Sequence, residues 1–246
     1  MSSTAATAPI LLYGFGPTFG MPDASPFVSK VLTYLRMIDV PHQLLPGDAR
    51  KAPKGKLPYI EDRGQKIPDS SFIVEYLRKN YRDLDASMTA QERALCTAVQ
   101  SMLEEHMYFV ILCQRWVDDH GWRVVGPGIA SVIKKSGVPG LVAPTVSNLV
   151  RKQVVKVAMA QGMGRHSMRE VEDIGIRLID SLAELAGDKP YFLGDAPHAI
   201  DATVFPFVWT LAETPIEGRL RQHIQSKHPL VAYCQRMKTQ YFKDYV

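Results

Sequence analysis

The chain has 246 residues, 46% of them hydrophobic and 22% charged, which is typical of a globular protein with one large or two small domains. Its formal net charge is only +4, and no long basic run is interleaved with aromatic residues, so the composition argues against a nucleic-acid-binding surface. The longest apolar stretch, near residues 137–150, is short and broken by prolines, which argues against a membrane span.

The first eighty residues predict short strands that alternate with helices. Residues 10–15 form a brief apolar run typical of a buried strand, and residues 42–45 predict a second strand parallel to it. Between these strands, apolar residues recur at helical spacing from Phe27 onward. A turn at Arg63-Gly64 separates two strand-like runs, which predicts a hairpin, and residues 71–81 predict a second helix.

The rest of the chain predicts helices. Thr89 and Ser167 each precede a glutamate by three residues, and this capping-box pattern marks the beginning of a helix. The stretch 120–145 is rich in Gly and Pro, so we expect it to be irregular or broken into short helices, with helical patterning resuming over 146–160. A turn rich in Gly and Pro after Ala186 is expected to lead into a buried helix.

The change from alternating strands and helices to helices alone predicts two domains joined by a linker near residues 82–88. The smaller, residues 1–83, combines strands and helices, and the larger, residues 89–246, is entirely helical. The fold class predicted is therefore α+β, with a small mixed domain followed by an all-α bundle.

Three short motifs in the smaller domain carry polar groups suited to binding. Ser25 and Pro26 stand at the beginning of the first helix, where serine is a favoured cap and proline suits the first helical position. The exposed N–H groups of a helix end attract an anion, and a serine hydroxyl there can donate a hydrogen bond to a thiolate and lower the pKa of that thiol. Ser25 is thus either a plain cap or a partner of a sulfur.

The second motif is Leu57-Pro58, just before a predicted strand. If this bond is cis, the chain exposes the backbone N–H and C=O of Leu57 for pairing with a peptide ligand.

The third motif is Asp69-Ser70, at the beginning of the second helix. Its free N–H groups can receive a carboxylate while Asp69 accepts from an amine, although a simple helix cap explains the pair equally well.

The order and spacing of these motifs resemble the thioredoxin-like domain of the glutathione transferases, and the resemblance covers the whole chain. The segment 191–205 is similar to the family's segment before its buried helix in the α domain, with Asp201 in the aspartate position and His198 where the family usually has Ser or Thr. Segments 15–27, 161–167 and 187–195 resemble the branch that includes the failed-axon-connections and metaxin proteins.

The resemblance implies a role for each motif. Ser25 would face the thiol of glutathione as the catalytic residue, and Leu57, before Pro58, would pair with the cysteinyl backbone. Asp69 and Ser70 would hold the γ-glutamyl end, and Lys56 would meet the glycyl carboxylate. Glutathione is then a co-substrate, a small electrophile is the second substrate, and the partner in the assembly is a second copy of the chain.

Several residues are alternatives or further candidates. Tyr13 ends the first strand, where some glutathione transferases use a tyrosine, and Thr18 lies in the loop that follows, so either can replace Ser25 as the thiol partner. On the first long helix of the α domain, Tyr108, Arg115 and Trp116 are candidates for the electrophile pocket or for the core. Two further sets are expected to be structural, the pair Arg165-His166 and the buried Cys113.

The cysteines and the amino terminus bear on the compartment. Cys96, Cys113 and Cys234 are widely spaced, which argues against a metal site or a dithiol centre and favours a reducing environment. The first nine residues lack the basic and apolar segments of a signal peptide. The sequence therefore predicts a cytoplasmic glutathione-dependent transferase, with a non-catalytic binding or scaffold protein of the same fold as the alternative.

Overall fold

A four-stranded mixed sheet forms the centre of the first domain. The structure is a computed structural model. It describes residues 8–135 and 137–245, except for the Lys135 side chain. Most of the amino-terminal stretch in which the sequence predicts no signal peptide, residues 1–7, lies outside the described residues. The strand order is β2-β1-β3-β4, and β1 pairs in parallel with β2 and antiparallel with β3. The strands are β1 Ile10–Gly14, β2 His42–Pro46, β3 Tyr59–Asp62 and β4 Gln65–Pro68.

The predicted strands and hairpin are confirmed, and two helices complete the domain. Helix α1 spans Pro26–Met37 and α2 spans Ser70–Asn80. Residues on one face of β1, including Ile10 and Leu12, are buried. Since successive strand residues point to opposite faces, this alternation places one face of the sheet in the core.

The described residues of the second domain form helices and the segments that connect them, with no strand among them. Its helices are α3 Ala90–Ser101, α4 Tyr108–Leu112, α5 Asp119–Lys135, α6 Ala143–Gln161, α7 Met168–Ala186, α8 Ala199–Glu213, α9 Arg219–Ser226 and α10 His228–Tyr241. The capping boxes at Thr89 and Ser167 form as predicted, each with the hydroxyl accepting from the N–H of the glutamate three residues later. The α+β two-domain class predicted from the sequence is therefore confirmed.

The first long helix of this domain is continuous but not uniform. Two π-helical segments, Met102–Met107 and Cys113–Val117, lie on either side of α4. A π turn widens the helix by one residue and shifts the following side chains around the axis, and such turns are frequent at functional sites. The second of them contains Arg115, which the widened turn directs toward the first domain.

The prediction that residues 120–145 are irregular or broken is wrong for residues 120–135, because α5 runs without interruption from Asp119 to Lys135. It is confirmed for the described residues 137–142, which are not helical and separate α5 from α6. Two of the glycines in α5 lie against other parts of the chain. A Cβ on Gly121 would lie 1.7 Å from the carbonyl oxygen of Gln114, and one on Gly128 would lie 3.4 Å from the ring of Phe19. Tertiary contacts thus override the local helix-breaking tendency of this segment.

Helix α8 is the centre of the second domain, with twelve of its fifteen residues buried. Asp201 receives hydrogen bonds at 2.8 Å from the Phe192 N–H, 2.9 Å from the His198 N–H and 2.9 Å from the Tyr233 hydroxyl. The Ala199 N–H donates instead to Asp85, in the linker between the domains, at 2.8 Å. This linker carboxylate therefore caps the helix where His198 replaces the usual Ser or Thr.

A buried ion pair fixes the two domains together near the beginning of α1. The Lys30 ammonium on α1 lies 2.6 Å from Glu104, in the first π-helical segment, and 3.0 Å from the Ser71 hydroxyl on α2. Gln100 donates to the same hydroxyl at 2.8 Å. This network sets the positions of α1 and α2 relative to the second domain.

Candidate functional site

The three sequence motifs meet at one end of the sheet. Because β3 runs antiparallel to β1, the residues just before β3 lie beside the residues that follow β1. Direct contacts connect these loops: the Gly47 N–H donates to the Gly14 carbonyl at 2.7 Å, and the Asp69 N–H donates to the Pro58 carbonyl at 3.3 Å. The amino-terminal ends of α1 and α2 therefore lie near the same point.

Ser25 caps α1 with its backbone alone. It has extended geometry, with φ −95° and ψ 123°, but its side chain makes no capping hydrogen bond. No residue in the described part of the chain bonds to the Ser25 hydroxyl, and the side chain is half-buried. The hydroxyl is thus available to a ligand at the helix end, so the capping and sulfur-binding roles considered for Ser25 do not compete.

The loop before Ser25 is held by a buried carboxylate that sequence reasoning missed. Asp23 is 1% exposed and accepts from the backbone N–H groups of Phe15 at 2.7 Å, Gly16 at 2.8 Å and Ser25 at 2.8 Å. Burial raises the pKa of Asp23 to about 7, although these three N–H donors oppose the shift. The carboxylate gathers the long loop around the beginning of α1.

A buried arginine contacts the same loop from the second domain. Arg115 donates to the Ala24 carbonyl at 2.8 Å and to the Thr214 hydroxyl at 2.7 Å, and its Nε has no hydrogen-bond partner. Burial lowers the pKa of Arg115 to about 10, and no carboxylate among the described residues pairs with it. Because no carboxylate pairs with it, the guanidinium adds positive potential at Ala24, the residue before Ser25.

The Leu57-Pro58 bond is cis. Neither the N–H nor the C=O of Leu57 bonds to any residue that the structure describes. The Leu57 side chain packs against Gly47, where an added Cβ would lie 2.7 Å from Leu57 Cδ2. One main-chain donor and one main-chain acceptor of Leu57 thus have no partner among the described residues.

Asp69 and Ser70 have different surroundings at the beginning of α2. Asp69 has φ 77° and accepts from the Ser71 N–H at 3.1 Å, while its other oxygen lies 3.8 Å from Lys54. Ser70 is 5% exposed, and no described residue bonds to its hydroxyl. Lys56, by contrast, is exposed on the loop before Leu57. The sequence did not single out Lys54, because only the fold brings it to Asp69.

The two alternatives to Ser25, Tyr13 and Thr18, lie at the end of β1 and in the loop that follows it. Tyr13 stacks on Tyr59 with ring centroids 4.4 Å apart, and burial together with the charge of Glu61 raises its pKa. Its hydroxyl is therefore protonated at neutral pH. Thr18 makes reciprocal backbone hydrogen bonds with Met21 within a tight turn of the loop.

An aromatic side chain of the second domain, Tyr108, packs against the beginning of α1. Tyr108 contacts Phe27 edge to face, with centroids 4.9 Å apart, and burial raises the Tyr108 pKa while Arg115 opposes the shift. Trp116 instead packs on Trp122, 5.3 Å away. Tyr108 and Arg115 thus adjoin the first domain, whereas Trp116 packs within the second.

The remaining candidates have local structural roles, as the sequence predicts. Arg165 donates to the Met159 carbonyl at 3.0 Å, and His166 lies 3.9 Å from Glu170 in the following helix. Cys113 is fully buried, and the described cysteines form no disulfide. The described residues include no group of side chains that could hold a metal ion.

Two family models match the chain. The model described as the glutathione S-transferase N-terminal domain matches residues 26–121, and the model described as the glutathione S-transferase C-terminal domain matches residues 175–237. Together these matches include α1, the Leu57-Pro58 bond, the beginning of α2 and the buried helix α8.

The relatives of the chain point in two directions. The chain is 36% identical to isoprene-epoxide–glutathione S-transferase of Rhodococcus sp. (strain AD45), covering 94% of this chain and 99% of the relative. It is 32% identical to Failed axon connections of Drosophila melanogaster, covering 96% of this chain but 59% of that protein. Metaxin-1 of Sus scrofa is 26% identical, over 96% of this chain and 76% of the relative.

A solved structure supports the fold. The β-etherase LigF of Sphingobium sp. strain SYK-6 superposes with a TM-score of 0.64, covering 97% of this chain and 98% of that chain. The two sequences are only 16% identical, so this similarity concerns the architecture.

Proposed function

The chain belongs to the glutathione S-transferase family, and on this premise we propose that it conjugates glutathione to a small electrophile. One observation carries the proposal. At the adjoining ends of α1 and α2, the hydroxyls of Ser25 and Ser70 and the main chain of Leu57 bond to no described residue. Polar groups buried or half-buried at a helix end without partners favour a ligand there.

The proposed pose follows from the chemistry of these groups. The cysteinyl N–H and C=O pair with Leu57, and the γ-glutamyl carboxylate lies against Ser70 and the N–H groups of α2. The γ-glutamyl ammonium binds Asp69, in place of the Lys54 ammonium 3.8 Å away. Lys56 reaches the glycyl carboxylate, and the sulfur lies at Ser25.

The reaction proposed is nucleophilic attack by the thiolate. The thiol proton passes to solvent, and Ser25 donates a hydrogen bond to the sulfur anion at the positive end of α1. The thiolate then forms a bond to an electrophilic carbon. For an epoxide, the class named in the relative at 36% identity, the carbon–oxygen bond breaks and the oxygen takes a proton from water.

Removing the Asp69 charge is expected to weaken glutathione binding at least about tenfold, because one charge-assisted hydrogen bond to the ligand ammonium is lost. Asp69→Asn is the suitable change, since asparagine tolerates the positive φ of 77° and still accepts from Ser71. Titration calorimetry with glutathione measures the dissociation constant.

The matched control is Asp48→Asn, a carboxylate of the same domain whose partner is its neighbour Arg50. This variant is expected to bind glutathione like the parent. Absence of binding heat in the parent at millimolar glutathione would rule out the proposed site, and equal binding by the parent and Asp69→Asn would remove Asp69 from it.

A second variant tests the buried cation. Arg115→Gln is expected to raise the thiol pKa of bound glutathione by about 0.5–1 unit, because the positive field beside Ser25 is removed. Thiolate absorbance measured against pH in the glutathione complex gives this pKa. Thr214→Val is the control, since it removes a hydrogen-bond partner of Arg115 but leaves the charge. An unchanged thiol pKa in Arg115→Gln would limit that residue to a structural role.

A non-catalytic binding or scaffold role is the second candidate. The similarity to Failed axon connections and to metaxin-1, neither of which is named as a transferase, favours it. This role predicts either no glutathione binding or binding without conjugation, which the calorimetry and a conjugation assay distinguish.

For the transferase we further propose a homodimer in a reducing cytoplasmic setting. Phe72, on α2, is 60% exposed and is available to a second subunit.

A further inference from the structure

The exposed apolar side chains of the protein are concentrated on one helix. Ten large hydrophobic residues are exposed in the described part of the chain, and six of them lie between residues 141 and 159. Leu141, in the turn before α6, is 98% exposed and Leu149 is 60% exposed. Such a concentration is unusual for a surface that meets only water, so it indicates an interaction site.

These residues form a stripe along α6. Val142, Leu149 and Val157 are separated by seven and eight residues, and at 3.6 residues per turn this spacing places them on one face. The opposite side of the helix is buried through Ala143, Ser147 and Ala158. The apolar stripe therefore points away from the protein.

Basic residues border the stripe. Lys152 and Lys156 are exposed and follow Leu149 by three and seven residues, so they lie next to it on the helix surface. Arg151, in contrast, turns back into the protein, where it donates to the Trp116 carbonyl at 2.8 Å and to Asp119 at 2.7 Å. The two lysines thus remain available to anions.

The charge of the surrounding sequence is one-sided. Residues 120–169 contain eight Lys and Arg and no Asp or Glu, whereas the whole chain has a net charge of only +4. The rest of the chain is therefore net acidic, and the excess of positive charge lies in the segment that includes α6 and all of α5 after its first residue, Asp119. This excess favours anionic partners for the α5–α6 segment.

We propose that α6 and the turn before it dock the protein on an anionic lipid surface. Aliphatic side chains bordered by lysines match the boundary between acyl chains and acidic headgroups, where lysine stems lie along apolar surface while their ammonium groups meet phosphate. The stripe contains no aromatic side chain to stack on bases, which disfavours a nucleic-acid partner. No helix among residues 8–135 and 137–245 is long and apolar enough to cross a membrane, so the association is peripheral.

Flotation of the full chain with lipid vesicles tests the proposal. The protein is expected to float with vesicles of phosphatidylcholine and phosphatidylserine, less with phosphatidylcholine alone, and less again as salt is raised. Leu149→Glu and the double change Lys152→Glu, Lys156→Glu are each expected to weaken binding by about tenfold or more. Because these positions are exposed, thermal unfolding is expected to stay at the parent temperature.

The matched control is Val231→Glu, an exposed valine on α10 that is 39% accessible. It is expected to bind vesicles like the parent. Failure of the parent to float with acidic vesicles, or equal flotation of Leu149→Glu and the parent, overturns the proposal. So does self-association in sedimentation that Leu149→Glu removes, since this would place α6 in an interface between copies of the chain, or a preference of the parent for a DNA duplex over the acidic vesicles.

Discussion

Replacing Ser25 by alanine is expected to lower kcat/KM for conjugation by about 10- to 100-fold at neutral pH. A hydrogen bond to a charged sulfur contributes about 1.5–3 kcal/mol, which corresponds to about one to two units of thiol pKa. At a pH below the raised pKa, the thiolate fraction falls by the same factor. Initial rates with glutathione and a small alkyl epoxide measure the effect.

The structure also predicts what this change leaves intact. Because the Ser25 side chain makes no capping hydrogen bond, Ser25→Ala is expected to change the free energy of unfolding by less than about 0.5 kcal/mol. Glutathione affinity is expected to stay within about threefold, since in the proposed pose the hydroxyl contacts only the sulfur. Thr18→Ala is the matched control and is expected to retain the parent rate. A full loss of rate in Thr18→Ala, with Ser25→Ala unaffected, would move the role to Thr18.

Replacing Asp201 by alanine is expected to lower the free energy of unfolding by about 3–5 kcal/mol. The carboxylate is fully buried, and its removal leaves the Phe192 N–H and the His198 N–H without an acceptor in the interior. The Tyr233 hydroxyl loses its 2.9 Å bond to the carboxylate and keeps only a longer one, 3.4 Å, to the Asp201 carbonyl. Unsatisfied buried donors cost about 1–3 kcal/mol each, and partial relaxation reduces the sum. Chemical denaturation of the parent and the variant measures the difference.

Asp85→Ala is the comparison at the same helix end. It leaves one hydrogen-bond donor, the Ala199 N–H, without its carboxylate, and it also removes the longer contacts of 3.6 Å to Arg78 and to the His198 ring. A smaller loss of about 1–2 kcal/mol is expected. Equal losses in the two variants would show that Asp201 acts as an ordinary cap. The expected order, Asp201 well above Asp85, instead reflects three donors against one at the centre of the second domain.

Local signals explain why much of the fold could be predicted. The capping boxes at Thr89 and Ser167 involve residues three apart, so the sequence contains the whole interaction. The apolar run in β1 and the helical spacing after Phe27 likewise require only near neighbours. The parallel pairing of β1 with β2 and the hairpin of β3 and β4 follow from these elements, because few topologies connect them.

Long-range contacts explain what the sequence did not predict. Helix α5 forms despite its glycines, and one of them, Gly128, lies against the ring of Phe19, which is distant in sequence. Asp85 caps a helix 114 residues away, and Arg115 reaches Ala24 across 91 residues. No local pattern indicates such pairs.

The site illustrates the same division. Ser25, Leu57 and Ser70 are recognisable from helix-end and X-Pro patterns, together with their order along the chain. The proposed function rests on the absence of hydrogen bonds from these groups to the rest of the described chain. The sequence could not predict this absence, because it depends on the positions of all neighbouring donors and acceptors in the fold. The support from Asp23 was equally invisible, because its three N–H donors come from a loop without regular structure.

The thiol pKa of glutathione bound to the parent protein tests the central claim most directly. Ultraviolet absorbance of the thiolate, followed against pH at a glutathione concentration that calorimetry shows to be saturating, gives this value without any choice of electrophile. A midpoint at least about one unit below the ~8.5 of an ordinary cysteine thiol is the predicted result. A midpoint at or above that value in the saturated complex would contradict a thiolate stabilised by Ser25 and the end of α1.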